Sequence, residues 1–415
     1  MSFATTRELD LLARCLAPPQ EAEAPHLAAA AQQVSDWSHL YQYAHERLVA
    51  PLLYARLRHA NLLELVPPEI RNRFQWIYEQ TAALNALRLH QILKVSTPLV
   101  EQGVRTLYFK GTSLILTGDY PDPGHRMFAD VDLLAKEADK ENLRHAFAQA
   151  GGWWELPAPG QQAVKDTKWV NAWRTLIEVH WHLKSYNGVP GQVAEDRLWS
   201  SAQPLHYRGK IAWVPAPEDR FIMAAVHSTV QHAFDSSLLL VALADLAHIA
   251  GKNRGSFDWD RMAQALERER MLEHVTVATQ LAWEVTRFSP LQEGLAAFWR
   301  RQPGLETITT PLVRPLLRMI RKPWVFASLA ESRFLTAPPW RQRIQVLVST
   351  VFSKLFPHSW KRTPFMEKGA EVEVIKMNTT PQRRLFDLDF LSYIIQLNRF
   401  YRRIGYTGLN GKVPD

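Results

Sequence analysis

Two aspartates stand two residues apart inside an apolar segment, "MFADVDLLA" at 127–135, and no other feature constrains the fold as strongly. Residues two apart on a strand share one face, so Asp130 and Asp132 point the same way. Ionised carboxylates removed from water need a positive partner. Because two such carboxylates repel each other, and oxygen-only ligands favour Mg²⁺ or Mn²⁺, the segment predicts a divalent-metal site on a strand.

The segments around this strand indicate a mixed sheet. The short apolar runs "RTLYF", "MFADVDLLA", "TLIEVHWHL" and "KIAWVP" are typical of strands, whereas the chain on either side carries apolar residues at helical spacing. The predicted fold class is α+β, a small mixed β-sheet core flanked by N-terminal and C-terminal helical regions. The expected boundaries are an N-terminal helical region at 1–103, an α/β core at 104–215, a helical domain at 216–300 and a basic C-terminal helical region at 301–415.

A third acid lies on the strand "TLIEVHWHL", where Glu178, His180 and His182 line one face. If this strand pairs with the aspartate strand, Glu178 joins the same metal centre. Three convergent acids can hold two divalent ions about 3.5 to 4 Å apart, which clamps the attacking and leaving oxygens of a phosphoryl transfer. Two imidazoles at this spacing can also chelate zinc, but no cysteine or third histidine completes such a set. The favoured interpretation has one histidine facing the acceptor or orienting Glu178.

The strand "RTLYF" ends in Lys110-Gly111-Thr112-Ser113. A glycine between a strand and a helix lets backbone N–H groups approach a phosphate, and the new helix presents its positive end there. The hydroxyls of Thr112 and Ser113 can add donors, and Lys110 or Arg126 can neutralise a triphosphate. Phosphate on one side and metal on the other predict a site for a nucleoside triphosphate.

These residues resemble the DNA polymerase β-like nucleotidyltransferase superfamily, and within it the branch of uncharacterised nucleotidyltransferases. Gly111-Thr112, the Asp130-Val131-Asp132 strand and Glu178 match the superfamily pattern of a glycine turn, an Asp-x-Asp strand and a later acid. Lys-Gly at the turn, Arg126 and "EVHW" match the marks of the branch. Thr112 departs from the usual Gly or Ser but keeps a hydroxyl. The resemblance covers roughly residues 20 to 290.

The resemblance implies transfer of a nucleoside monophosphate from an NTP to a hydroxyl-type acceptor, a small molecule, sugar or peptide, with release of pyrophosphate. It makes Asp130 and Asp132 ligands of Mg²⁺ or Mn²⁺, and Glu178 a third ligand or the base. The implied nucleotide-binding residues are Lys110, Gly111, Thr112, Ser113 and Arg126, and His180 and His182 are candidates for the acceptor side. The alternative left open is a catalytically silent nucleotide-binding or scaffold protein with the same fold.

The net charge of +8 is concentrated late in the chain, where residues 298–365 hold twelve Lys or Arg against Glu306 and Glu331. A nucleic acid is a possible partner of this stretch, but a solvated basic face is favoured because no recognisable nucleic-acid module is present. The single cysteine, Cys15, excludes an internal disulfide. With no apolar run long enough for a transmembrane helix and acids in the first residues, a cytoplasmic protein is expected.

Overall fold

The computed structural model describes residues 6–20, 23–156, 166–183, 193–231 and 236–320, together with Ser392, Gln396, Arg399, Phe400 and Arg403. Apart from these five positions, the part of the predicted basic region that follows residue 320 lies outside the described residues. Within the described ranges, no helix combines the length and the apolar character needed to cross a membrane.

Five helices precede the sheet, and the last of them is the longest in the described chain. It starts at the second proline of a Pro-Pro pair, whose fixed φ suits a first helical position. The third begins after Asp36, whose side chain accepts a hydrogen bond from the His39 backbone N–H at 2.8 Å and so caps it. The helices are α1 (Thr6–Leu16), α2 (Ala24–Gln32), α3 (Trp37–Glu46), α4 (Ala50–His59) and α5 (Pro68–Glu101).

In the part of the chain that the structure describes, seven strands form one mixed sheet, as the α+β prediction requires. The strands are β1 (Thr106–Phe109), β2 (Val131–Ala135), β3 (Trp153–Glu155), β4 (Asp166–Asn171), β5 (Leu176–His180), β6 (Gln203–Tyr207) and β7 (Lys210–Val214). Their order across the sheet is β3-β4-β5-β2-β1-β7-β6. The pairs β2–β5 and β1–β7 are parallel, and the other pairs are antiparallel.

Short helices connect the strands, and a second group of helices follows the sheet. The connecting helices are α6 (Lys110–Leu116), α7 (Lys140–Ala150) and α8 (Glu195–Ser201). The later group comprises α9 (Pro217–Val226), α10 (Ser236–Lys252), α11 (Trp259–Arg268), α12 (Leu272–Thr286), α13 (Ser289–Arg301) and α14 (Leu305–Ile320). Helix α1 packs against both α10 and α12, so the helices that precede the sheet in the chain and those that follow it share one hydrophobic core. The predicted flanking helical regions are confirmed.

A buried ion pair joins the segment after α6 to helix α9. Arg220 binds Asp119 through Nε at 2.8 Å and Nη2 at 3.2 Å, and both side chains are almost fully buried. The Asp119 carboxylate also accepts hydrogen bonds from Thr117 at 2.8 Å and from Asn253, directly after α10, at 3.2 Å. These three partners of Asp119 fix where the chain leaves α6 and turns toward β2.

Cys15 lies in α1 and is fully buried. Burial disfavours the thiolate and raises the pKa of the Cys15 thiol to about 12. Because the thiolate is the reactive form, this cysteine behaves as a small apolar core residue rather than as a nucleophile.

Two buried histidines and one partly buried histidine predict a loss of stability in mild acid. Burial lowers the pKa of His248 to about 3, and the pKa values of His125 and His274 to about 4. The folded chain therefore keeps them neutral, whereas the unfolded chain takes up protons near pH 6.5. Stability is thus complete above pH 6.5 and falls between pH 6.5 and 4, by about 2 kcal/mol per histidine at pH 5.

Urea unfolding at pH 7 and pH 5 measures this loss. His248→Gln removes one of the three groups, so the difference between the two pH values should shrink. His59→Gln, at an exposed position of α4, should leave the difference unchanged. An equal pH dependence in the His248 variant and the wild type would contradict the assignment.

Candidate active site

Parallel pairing of β2 with β5 builds the centre of the site. Asp132 lies directly beside Glu178 in the register, and His180 follows two residues later on the same face of β5. Ligand atoms of these three side chains all lie within 4.8 Å of one another. We call Asp132, Glu178 and His180 the ligand cluster. The strand pairing on which the expected third acid depended is therefore present.

Asp132 is buried and has two positively charged or protonatable neighbours. Its Oδ1 accepts a hydrogen bond from Lys110 Nζ at 2.7 Å and lies 2.9 Å from His180 Nε2. Burial alone opposes the charge, but the hydrogen bonds from His180 and Lys110 outweigh it and hold the pKa of Asp132 below its ordinary value. Asp132 is therefore ionised at neutral pH.

His180 lies between two carboxylates. Its Nε2 faces Asp132, and its Nδ1 is 2.8 Å from Oδ1 of Asp166 at the start of β4. The edge of the ring packs against Phe109, with the ring centroids 5.1 Å apart. Burial disfavours the imidazolium, but the two carboxylates outweigh it and raise the pKa of His180. The ring is held on three sides in one orientation.

Asp130 comes immediately before β2 and is half-buried. Burial and the nearby charges of Asp132 and Glu178 raise its pKa, and Lys110 offsets part of the effect. Asp130 therefore shares the electrostatic field of the ligand cluster, although its carboxylate is not among the three mutually close ligands. Crowding of like charges at this point favours a bound cation.

The turn that starts α6 is tightly packed. A Cβ on Gly111 would lie 3.0 Å from Cβ of Phe128 and 3.5 Å from Nη1 of Arg126, so only glycine fits without a shift. The hydroxyls of Thr112 and Ser113 are buried, and Ser113 Oγ donates to the Lys110 carbonyl at 2.8 Å. Of the four turn residues, Lys110 alone has a side chain with appreciable exposure.

Arg126 is bound inside the protein. Its Nε and Nη2 donate to the two carboxylate oxygens of Asp245 in α10, at 2.9 and 2.8 Å, and Tyr120 donates to the same carboxylate at 2.8 Å. Burial opposes the charge, but Asp245 outweighs it and raises the pKa of the Arg126 guanidinium. The structure thus gives the predicted phosphate-binding arginine a carboxylate partner within the fold.

His182 lies outside the ligand cluster. Strand β5 ends at His180, so the two-residue alternation does not continue to His182. The His182 side chain is 61% exposed and contacts Glu137 at 3.3 Å and Glu195 at 3.7 Å. His180 and His182 therefore face different partners, and the described residues offer no zinc site that uses both.

Two residues near the ligand cluster were missed by the sequence analysis. Asp166, which contacts His180, lies at the start of β4. The alternation of residues in "DTKWVN", which matches the alternating burial of this strand, was the signal that could have identified it. Arg88 lies on α5, in the predicted N-terminal helical region, for which the sequence analysis named no site residue. Its guanidinium lies over the Phe128 ring, 5.3 Å from the centroid. Burial lowers the pKa of Arg88, and the nearby Asp130 charge offsets part of the shift.

The donor set of the ligand cluster fits a divalent cation. Two carboxylates and one imidazole provide oxygen and nitrogen ligands within reach of a single ion. The nearby Asp130 adds negative charge, and Lys168 approaches Glu178 at 3.5 Å from the more exposed side. Asp132, Glu178 and His180 can therefore hold the metal that a phosphoryl-transfer reaction uses.

A family model described as "Uncharacterised nucleotidyltransferase" matches residues 33–287, from the segment before α3 to the end of α12. The matched range includes the α6 turn and all three residues of the ligand cluster. Among curated proteins, none matches the chain significantly.

Proposed function

Because the chain belongs to the uncharacterised nucleotidyltransferase family, we propose that it moves a nucleoside monophosphate from an NTP to a hydroxyl-type acceptor. The observation that supports the proposal is the meeting of Asp132, Glu178 and His180 on adjacent strands, next to the turn that carries Lys110. In this reaction the acceptor oxygen bonds to the α-phosphorus, the bond to the β-phosphate bridging oxygen breaks, and pyrophosphate leaves.

Each acidic side chain has a proposed role. Asp132 and Glu178 hold Mg²⁺ or Mn²⁺. Asp130, immediately before β2, is the third acid near the cation. When bound, such a cation offsets the charge that develops on the phosphoryl oxygens. Glu178 is a third ligand or takes the proton that the acceptor hydroxyl loses.

The nucleotide is proposed to lie on the α6 side of the ligand cluster. Lys110 is the cation at the start of α6 that can move from Asp132 to a phosphate, because its side chain is 19% exposed. Gly111, Thr112 and Ser113 contribute backbone shape, since both hydroxyls are buried. Arg126 contributes by holding the segment before β2 against α10.

Transfer of the α-phosphate label tests the proposal. The purified chain is incubated with each α-labelled NTP, a cell extract as the source of acceptor, and Mg²⁺ or Mn²⁺. We expect one extract component to become labelled, with loss of labelling when the divalent ion is chelated. The γ-label should leave as pyrophosphate. Transfer of the γ-label, or no transfer from any NTP, would overturn the proposal.

Two features favour the second candidate, a catalytically silent protein with the same fold. Lys110 and His180 already neutralise Asp132, and the hydroxyls of the turn are buried. Calorimetric titration with a non-hydrolysable NTP analogue separates the candidates. The enzyme should bind the analogue more tightly with Mg²⁺ than without it, whereas a silent scaffold should show no metal-dependent binding.

A further inference from the structure

We propose that His180 is a metal ligand, that Asp166 positions it, and that its nitrogen makes the centre prefer a first-row transition-metal ion over Mg²⁺. The inference rests on the proposed function, because it concerns the same metal centre. It goes further by adding a nitrogen ligand to the acidic set and by naming the residue that orients this ligand.

The distances fit coordination of one ion by His180 and its neighbours. His180 Nε2 lies 2.9 Å from Asp132 Oδ1 and 3.9 Å from Glu178 Oε2. Ligands about 2.2 Å from one ion lie about 3.1 Å apart at adjacent octahedral positions and about 4.4 Å apart at opposite ones. A cation can therefore take the place of the hydrogen between Nε2 and Oδ1 with small side-chain movements.

Asp166 gives His180 the orientation that a metal ligand needs. A carboxylate only accepts hydrogen bonds, so the Nδ1 that lies 2.8 Å from Asp166 carries a hydrogen. With that hydrogen held by Asp166, Nε2 is the nitrogen available to a cation, and it points at Asp132. Histidines that bind metals usually donate their other N–H to a carboxylate in this way.

The surroundings of the ring leave it little freedom. The His180 side chain is 4% exposed, and Phe109 packs edge-on against it. The next residue, Trp181, donates from Nε1 to the Thr167 hydroxyl at 2.9 Å, which fixes the end of β5 against β4. The nitrogen ligand is therefore placed before any metal arrives.

An imidazole ligand changes which ions the centre prefers. Mg²⁺ binds oxygen ligands and gives up its water reluctantly, whereas nitrogen ligands raise the affinity for first-row transition ions. A site of two carboxylates and one imidazole should therefore bind Mn²⁺ more tightly than Mg²⁺. Without the imidazole, the remaining carboxylates should discriminate between the two ions much less.

Pulsed electron paramagnetic resonance of the Mn²⁺-loaded full chain tests the inference. Direct coordination by His180 predicts a ¹⁴N coupling to Mn²⁺ in the wild type. Free Mn²⁺, measured from its continuous-wave signal, gives the affinity, and competition with Mg²⁺ gives the preference. We expect Mn²⁺ to bind at least about tenfold more tightly than Mg²⁺.

Three variants complete the test. His180→Gln should lose the ¹⁴N coupling and most of the preference for Mn²⁺. Asp166→Asn should weaken Mn²⁺ binding by about 10- to 100-fold, the usual effect of removing the partner of a metal-binding histidine. His182→Gln, two residues along and exposed, is the matched control and should behave as the wild type.

The outcomes separate this inference from the proposed function. Mn²⁺ binding without ¹⁴N coupling in the wild type would overturn the role of His180 and leave the carboxylate centre intact. Coupling that disappears in His182→Gln instead would also overturn it. No Mn²⁺ binding at all would remove both this inference and the metal-dependent mechanism. Absence of ¹⁴N coupling in the wild-type spectrum overturns the inference even if a variant fails to fold.

Discussion

Asp132→Asn should lower nucleotidyl transfer by a factor on the order of 10³ or more. Asparagine keeps the shape of the side chain but removes the charge that Lys110, His180 and the proposed cation all share. Its amide nitrogen would also face these positive groups. The measurement is kcat/KM for transfer of the α-phosphate label at saturating divalent ion, with circular dichroism to confirm that the variant is folded.

Two comparisons make the result specific. Asp130→Asn should also lower transfer, because Asp130 shares the field of the same acids. Asp10→Asn, on the exposed face of α1 and paired there with Arg14, should leave transfer unchanged. Wild-type transfer in the Asp132 variant would remove this carboxylate from the mechanism.

Arg220→Met should destabilise the protein by about 3 to 5 kcal/mol, the usual effect of breaking one side of a buried ion pair. Methionine fills much of the space, but it leaves the Asp119 carboxylate charged and buried with only Thr117 and Asn253 as hydrogen-bond donors. Denaturant unfolding at pH 7 measures the change in free energy. The unpaired charge, rather than lost contact area, causes the effect.

A second substitution and an exposed pair serve as controls. Adding Asp119→Asn to Arg220→Met should recover part of the stability, because the amide carries no charge. Glu69→Ala breaks a pair with Arg73 whose side chains are 76% and 53% exposed, and should change stability by less than about 1 kcal/mol. If Arg220→Met also changed the free energy of unfolding by less than about 1 kcal/mol, this account of the buried ion pair would be contradicted.

The centre of the fold could be predicted from sequence because its signals are local. Alternation of polar and apolar residues in "ADVDLL" and "TLIEVHW" identifies both strands and the face on which their acids lie. The later acid on a second strand then makes pairing of β2 with β5 the natural arrangement, and the structure has that pairing. Strands β3, β4 and β6 were missed because they are short or carry many exposed polar residues.

The partners of Arg126 and His180 could not be predicted because they come from distant parts of the chain. Asp245 is 119 residues after Arg126, and no local pattern selects it from the other acids. Asp166 is 14 residues before His180, and its contact depends on the antiparallel register of β4 and β5. Spacing thus selected the candidate site residues, whereas tertiary pairing decides what each one touches.

The segment between α6 and β2 is anchored to one helix that precedes the sheet in the chain and to one that follows it. Asn85 of α5 donates to the carbonyls of Pro123 and Arg126, both at 2.7 Å, while Asp245 of α10 binds Arg126 and Tyr120. A fragment trimmed to the sheet alone would strip away both anchors and leave a cationic guanidinium and a phenol unpaired. A fragment that keeps both anchors has to include α5 and α10, although neither contributes a strand.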